Sequence, residues 1–121
     1  KTKNNTIDAA LAWANIAYMQ QRQAKSLSTG EQQLVALARA WALKPRILLL
    51  DEITANLEPV RTQKINALIQ DLSSSCKVIL STHSIKQAKD LADDVILLEQ
   101  GCIVLHTDAD TFFKQDELKQ F

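Results

Sequence analysis

The chain has 121 residues, 46% hydrophobic and 23% charged, which excludes a disordered tail and suits about one globular domain. Fourteen Lys and Arg balance fourteen Asp and Glu, so no global field draws it to nucleic acid or anionic lipid, and no nucleic-acid partner is expected. No apolar run approaches the ~20 residues that span a bilayer.

The amino end, Lys1 to Asn5, is polar and leads into no apolar core of the kind a secretory leader carries. A chain that opens on Lys rather than Met reads as one from which something upstream has been removed or left out. From about Thr6 to Gln21, Ile7, Ala10, Leu11 and Ala14 recur at helical spacing with Trp13 beside them, and Asn15 divides the run. A second helix is expected from about Gly30 to Leu43, on Leu34, Leu37, Ala38, Trp41 and Ala42, and Pro45 stops it. Ile47 to Leu50 is too short for a helix and shows no polar alternation, so it reads as a strand buried on both faces. Pro59 opens a helix carrying Ile65, Leu68, Ile69 and Leu72, which ends at Ser73-Ser74-Ser75. Val78 to Leu80 reads as a second buried strand, and Ile85, Ala88 and Leu91 as a short helix. Val95 to Leu98 and Cys102 to Leu105 form a hairpin across Gln100-Gly101. Alternation of strand and helix from Ile47 onward argues for an α/β fold. Cys76 and Cys102 lack metal-ligand spacing and read as buried or half-buried thiols in a reducing compartment.

Three short stretches carry candidate chemistry. Ser28-Thr29-Gly30-Glu31 has the pattern of a capping box, which by itself accounts for Ser28 and Glu31. The same geometry presents unpaired N–H groups and the positive end of a helix dipole to an anion, and Gly30 would let a phosphate approach the backbone. The two readings are compatible. Asp51 and Glu52 follow the apolar strand; they either simply end it, or hold Mg²⁺ and orient an attacking water at a strand's carboxyl end. His83, in the run Leu80 to Ser84, is either a solvated turn residue or a hydrogen-bond donor to a terminal phosphate.

In this order the stretches closely resemble the second half of an ABC-type ATPase domain. "LSTGE" is similar to the signature loop L-S-G-G-Q/E, "ILLLDE" to the Walker B strand with its glutamate, "TANLEP" to the D-loop and "STHS" to the switch-histidine loop. The tail from Ala92 to Phe113 resembles the family's closing strands and short helix. The resemblance implies the carboxyl-terminal part of a RecA-like P-loop ATPase sheet with flanking helices, plus part of the family's helical subdomain. Residues 1–44 would be the end of that subdomain and the signature helix. Residues 45–121 would be the Walker B, D-loop and switch-histidine region and the closing strands.

It also implies roles. Asp51 would help hold Mg²⁺, Glu52 would polarise the hydrolytic water, and His83 would contact the terminal phosphate of ATP. Ser28, Thr29, Gly30 and Glu31 would cover ATP bound to a second such domain in a head-to-tail dimer. Thr54, Ala55, Asn56, Leu57 and Glu58 would line the seam. Transmembrane permease subunits would be the other partners, with the chain peripheral on the cytoplasmic face of the membrane. The style of "ARAWALKPRILLLDE" resembles bacterial importers of oxyanions such as tungstate. Two alternatives are a soluble ABC ATPase working on DNA or ribosomes and a truncated, non-catalytic product.

Some positions depart from the family pattern: Thr29 stands for Gly, Leu34 for Arg, Ile53 for Pro and Glu58 for Asp. With Gly only at 30 and 101, the 121 residues contain no G-x-x-x-x-G-K-[ST] phosphate loop, and nothing matches the Q-loop or the adenine-stacking aromatic. The stretch alone is therefore expected not to bind ATP in a site of its own. It is also expected to be unstable, rearranged or completed by another chain. The family's phosphate-loop strand would lie between the strand before His83 and the strand at Val95 to Leu98.

Overall fold

Helix α1 runs Thr2–Trp13 and ends because Asn15 turns into the left-handed region, φ 56°. The Ile16 amide then reaches back to Leu11 O at 2.9 Å and the Asn15 amide to Ala12 O at 3.1 Å, the paired bonds of a Schellman cap with Asn in the place glycine usually takes. The computed structural model describes the backbone of residues 2–119 and the side chains of 5–114. It divides into two units, Lys1–Ser81 and Thr82–Phe121.

In the first unit, α1 is followed by two 3₁₀ turns, Ala17–Met19 and Ala24–Ser26, and then by α2, Thr29–Leu43. Lys44 closes α2 in the left-handed region ahead of Pro45. Strand β1 is Ile47–Asp51, α3 is Pro59–Leu72 and β2 is Lys77–Ser81. Pro59 takes the first helical position of α3, where its missing N–H costs nothing. The three serines after α3 have a local purpose: their hydroxyls donate to the carbonyls of Gln70, Asp71 and Leu72, at the helix end where the regular supply of intrahelical N–H donors runs out.

Strands β1 and β2 pair in parallel, from Ile47 opposite Lys77 to Asp51 opposite Ser81. The core lies on one side of this ribbon. Leu34, Leu37 and Ala38 of α2 are buried with Ile65, Ile69 and Leu72 of α3, Ala10 and Ala14 of α1, and Ile16, Met19 and Leu50. Trp13 and Trp41 stack with ring centroids 5.6 Å apart, and the Trp13 indole N–H donates to Asp71 Oδ2 at 2.6 Å, so α1 is tied to both other helices.

The expectation that both strands are buried on both faces is corrected. Leu50 is buried and Leu48, Val78 and Leu80 are half-buried, but Ile47, Leu49 and Ile79 are exposed. Register puts those three on one face together with Asp51, Lys77 and Ser81. A parallel sheet needs cover on both sides to bury a continuous apolar run, and here the packed helices leave one face open.

The second unit begins with α4, Ile85–Leu91, whose amino end is capped by Ser84 Oγ accepting from the Gln87 amide at 3.1 Å. Strands β3, Asp94–Glu99, and β4, Cys102–Asp108, pair antiparallel. Gln100 (φ 49°) and Gly101 (φ 78°) between them are both left-handed, as a two-residue hairpin loop requires. Asp108 caps the last helix, α5, Ala109–Lys119, by accepting from the Thr111 amide at 2.9 Å and hydroxyl at 2.7 Å; those bonds hold its carboxyl below the usual aspartate range. Cys76 is half-buried as expected, but Cys102, beside the hairpin turn, is exposed.

Among the described residues the four strands form two two-stranded sheets, β1–β2 and β3–β4. Among the described residues no helix is long and apolar enough to cross a membrane.

Candidate functional site

The acidic end of β1 is built by strand pairing. Asp51 stands opposite Ser81, whose hydroxyl donates to Asp51 Oδ1 at 2.5 Å. The ladder runs one bond further, from the Glu52 amide to Ser81 O at 3.1 Å, before the chain turns. Glu52 makes that turn in left-handed backbone, φ 52°, which costs a non-glycine residue about 1–2 kcal/mol. Strain of this kind persists only where surrounding bonds enforce it, and it gathers at functional sites. Here the enforcing bonds are the Ser81 contact and the Ala55 amide donating to Glu52 O at 3.1 Å. Ser81 went unnamed in the sequence reading; its signal was a hydroxyl residue closing the second apolar run.

Asp51 is exposed and Glu52 half-buried. Among the described residues no group of three or more His, Cys, Asp and Glu could hold a metal. Mg²⁺ in nucleotide sites takes one or two carboxylates and completes its shell with phosphate oxygens and water. The lone Asp51 carboxylate therefore fits an ion arriving with a nucleotide and does not fit a resident ion. A groove of about 250 Å³ between α2 and β1 includes Asp51 among otherwise neutral groups, chiefly Leu37, Ala40, Leu48 and Leu50. It offers no cation to a polyphosphate.

The turn into α2 is the capping box that the sequence pattern describes. Ser28 Oγ accepts from the Glu31 amide at 3.2 Å, and Glu31 Oε1 accepts from the Ser28 amide at 3.0 Å. The Thr29 and Gly30 amides, in the same first turn, have no intrahelical acceptor by geometry. Arg22, which the sequence reading did not single out, braces the turn. Its guanidinium donates to Glu31 Oε2 at 2.8 Å and to Ser26 O at 2.9 Å. Gly30 is buried, and the expected reason for its lack of a side chain is supplemented by another. A Cβ at Gly30 would lie 2.6 Å from Cδ and 2.8 Å from Cγ of Arg61.

The Ser28 amide and then Arg22 hold the Glu31 carboxyl below the usual glutamate range. A carboxyl whose folded-state value is depressed contributes stability above its unfolded value and loses it as pH falls through the folded one. Glu31→Gln keeps an acceptor for the Ser28 amide but removes the titration. Between pH 7 and pH 3 the full-length parent protein is therefore expected to lose more stability than its Glu31→Gln variant, read as urea midpoints across that range. Parallel pH profiles would show that the bonds to Glu31 do not form in solution.

The segment 54–58 is a surface turn leading into α3. Ala55, Asn56 and Glu58 are exposed, Asn56 is left-handed at φ 63°, and Glu58 is the residue before the first helical turn. In the second unit, His83 is exposed in the bend between Thr82, whose hydroxyl accepts from the Ser84 amide at 3.0 Å, and Ser84 itself. The first unit thus brings Asp51 and Glu52 together with Ser81, and holds Ser28 to Glu31 as one turn.

Residues 2–55 match the family model described as ABC transporter. The chain is 36% identical over 110 residues to the phosphate import ATP-binding protein PstB of Mycoplasmoides gallisepticum, covering 91% of this chain and 34% of that protein. It is 36% identical over 115 residues to PstB 1 of Vibrio vulnificus, covering 95% and 42%. Among solved structures it superposes on cbiO1 from Clostridium perfringens, part of the ABC transporter complex cbiONQ, with a TM-score of 0.81 and 26% identity over 97% of this chain and 47% of that one. The chain therefore spans less than half the length of these relatives. The curated ones are named for phosphate import, which corrects the likeness to tungstate importers.

Proposed function

We propose that the chain belongs with the ABC transporter ATP-binding domains it is similar to, and that it is the carboxyl-terminal part of the ATP-hydrolysing subunit of an importer, with phosphate as the cargo. The observation that carries the reading is the carboxyl end of β1. There Asp51 is pinned by Ser81 and followed by a glutamate forced into left-handed backbone. That is where an open α/β sheet receives its ligand. ATP with Mg²⁺ would supply a labile phosphoanhydride bond and a Lewis acid.

In this reading Asp51 would be the residue that helps hold the ion arriving with the nucleotide. Glu52 would accept a proton from the attacking water, and the family resemblance, taken by itself, would give His83 of the second unit a hydrogen bond to a terminal phosphate. The Thr29 and Gly30 amides, with the α2 dipole behind them, close over a nucleotide held by a second such domain, and 54–58 lines the seam between the two. Glu31 would act within its own turn, since both of its oxygens are engaged by Ser28 and Arg22. The neutral lining of the groove beside Asp51 supports the view that residues 1–121 do not cradle ATP by themselves. The protein would sit against permease subunits on the cytoplasmic face of the membrane.

The test is uptake into vesicles by the full-length protein assembled with its permease. ATP-driven accumulation of phosphate and not of tungstate is expected, with both uptake and ATP turnover lost in Asp51→Asn. Full turnover in that variant, or uptake of tungstate alone, would refute the reading.

A further inference from the structure

The space over Gly30 is filled from another helix. Arg61 is the third residue of α3, half-buried, and its stem crosses Gly30 so closely that a Cβ there would stand 2.6 Å from Cδ, 2.8 Å from Cγ and 3.1 Å from Nε. Ordinary carbon contacts begin at about 3.5 Å. The overlap falls on the middle of the side chain, one or two bonds from a Cβ anchored in a helical turn, so swinging the guanidinium tip does not relieve it. Any side chain at position 30 must drive the Arg61 stem to another rotamer or part the two helix ends. The first turn of α3 is in turn continuous with 54–58: the Thr62 amide donates to Glu58 O at 2.9 Å, and Pro59 fixes the entry of the chain.

We infer that Arg61 is a positioning residue, whose stem, seated on Gly30, makes the turn 28–31 and the turn 54–58 move as one body. The inference rests on the seam assignment proposed above and adds a coupling between its two loops. Both loops belong to one chain in that assignment, so a partner domain would meet a pre-set pair of surfaces instead of two independent ones. The stem does the positioning, and the charge is not required for it.

A double-mutant cycle in the full-length ATPase assembled with its permease tests this, using Gly30→Ala, Arg61→Ala, the pair, and Arg61→Met. Gly30→Ala is expected to lower kcat about tenfold, as sub-ångström to ångström misplacement does, with KM for ATP within about twofold because the nucleotide would be held first by the other domain and the turn would close over it only afterwards. Adding Arg61→Ala should return about half or more of the lost turnover by clearing the overlap, whereas Arg61→Met alone, which keeps the stem, should stay within about twofold of the parent. If the pair is as impaired as Gly30→Ala alone, or Arg61→Met as impaired as Arg61→Ala, the inference is overturned.

Amide hydrogen exchange on the same proteins gives a readout independent of nucleotide. Arg61→Ala should speed exchange at residues 29–31 and at 55–57 together; a change in one segment only would also overturn the coupling. Should the parent show no ATP turnover, the functional reading fails and the exchange result alone decides whether the two turns are joined.

Discussion

Leu34→Arg, which installs the arginine that the family resemblance leads one to expect at this position, should destabilise the protein by about 3–5 kcal/mol, the scale of an uncompensated buried charge. Leu34 has 0% of its surface exposed, on the face of α2 that also buries Leu37 and Ala38. A guanidinium there must either be stripped of water or force the helix off its neighbours. Leu34→Ala, by comparison, should cost about 3 kcal/mol for lost contacts and the cavity it leaves. Since a domain's whole stability is about 5–15 kcal/mol, the arginine variant would stand close to unfolding. Val35, the adjacent residue, is 40% exposed, and Val35→Arg should change stability by no more than about 0.5 kcal/mol. Urea midpoints of the three variants in the full-length protein check this. A Leu34→Arg protein as stable as its parent would mean that this face of α2 opens to water in solution.

The largest effect on activity is expected at Glu52. In the assembled full-length ATPase, Glu52→Gln should cut turnover by about 10²–10⁴-fold, the usual contribution of a positioned base, while nucleotide stays bound. Glutamine keeps the shape of the side chain and removes only its capacity to take a proton. The left-handed backbone at φ 52° is held by main-chain bonds to Ser81 and Ala55, so the substitution leaves the end of β1 in place. Trapped ATP with turnover lost is the signature to look for in a filter-binding assay run beside phosphate release. Unchanged turnover would remove Glu52 from the role of base.

What could be read from the residues alone was whatever is set locally. The capping box at Ser28 and Glu31, the break at Asn15, the stop at Pro45 and the Gln100-Gly101 hairpin are each decided by two to four neighbouring residues, and each stands in the structure. Burial of β1 and β2 was misjudged because an apolar run reports the cover a strand wants and not the cover it has. Ile47 and Leu49 have no helix over them among the described residues. The contacts made by Arg22, Ser81 and Arg61 could not be read from the sequence for a different reason. Arg22 meets Glu31 across the 3₁₀ turn Ala24–Ser26, Ser81 meets Asp51 through a register thirty residues apart, and Arg61 meets Gly30 only after α2 and α3 have packed. None of these has a spacing signature. The order of the motifs carried the family likeness, but it could not carry the cargo: the style of the sequence suggested tungstate, whereas the curated relatives are named for phosphate import.

The open side of the β1–β2 ribbon has a colloidal consequence. Leu49 is 71% exposed, with Ile47 and Ile79 beside it, and the flanking strand edges are unpaired among the described residues. That is a sticky, flat template for a like strand from another molecule. Mutual repulsion would not keep such molecules apart near neutrality, because the formal net charge is zero. A polypeptide limited to these 121 residues would be soluble only while something, whether a longer chain, a partner or a chaperone, stays laid across that stripe.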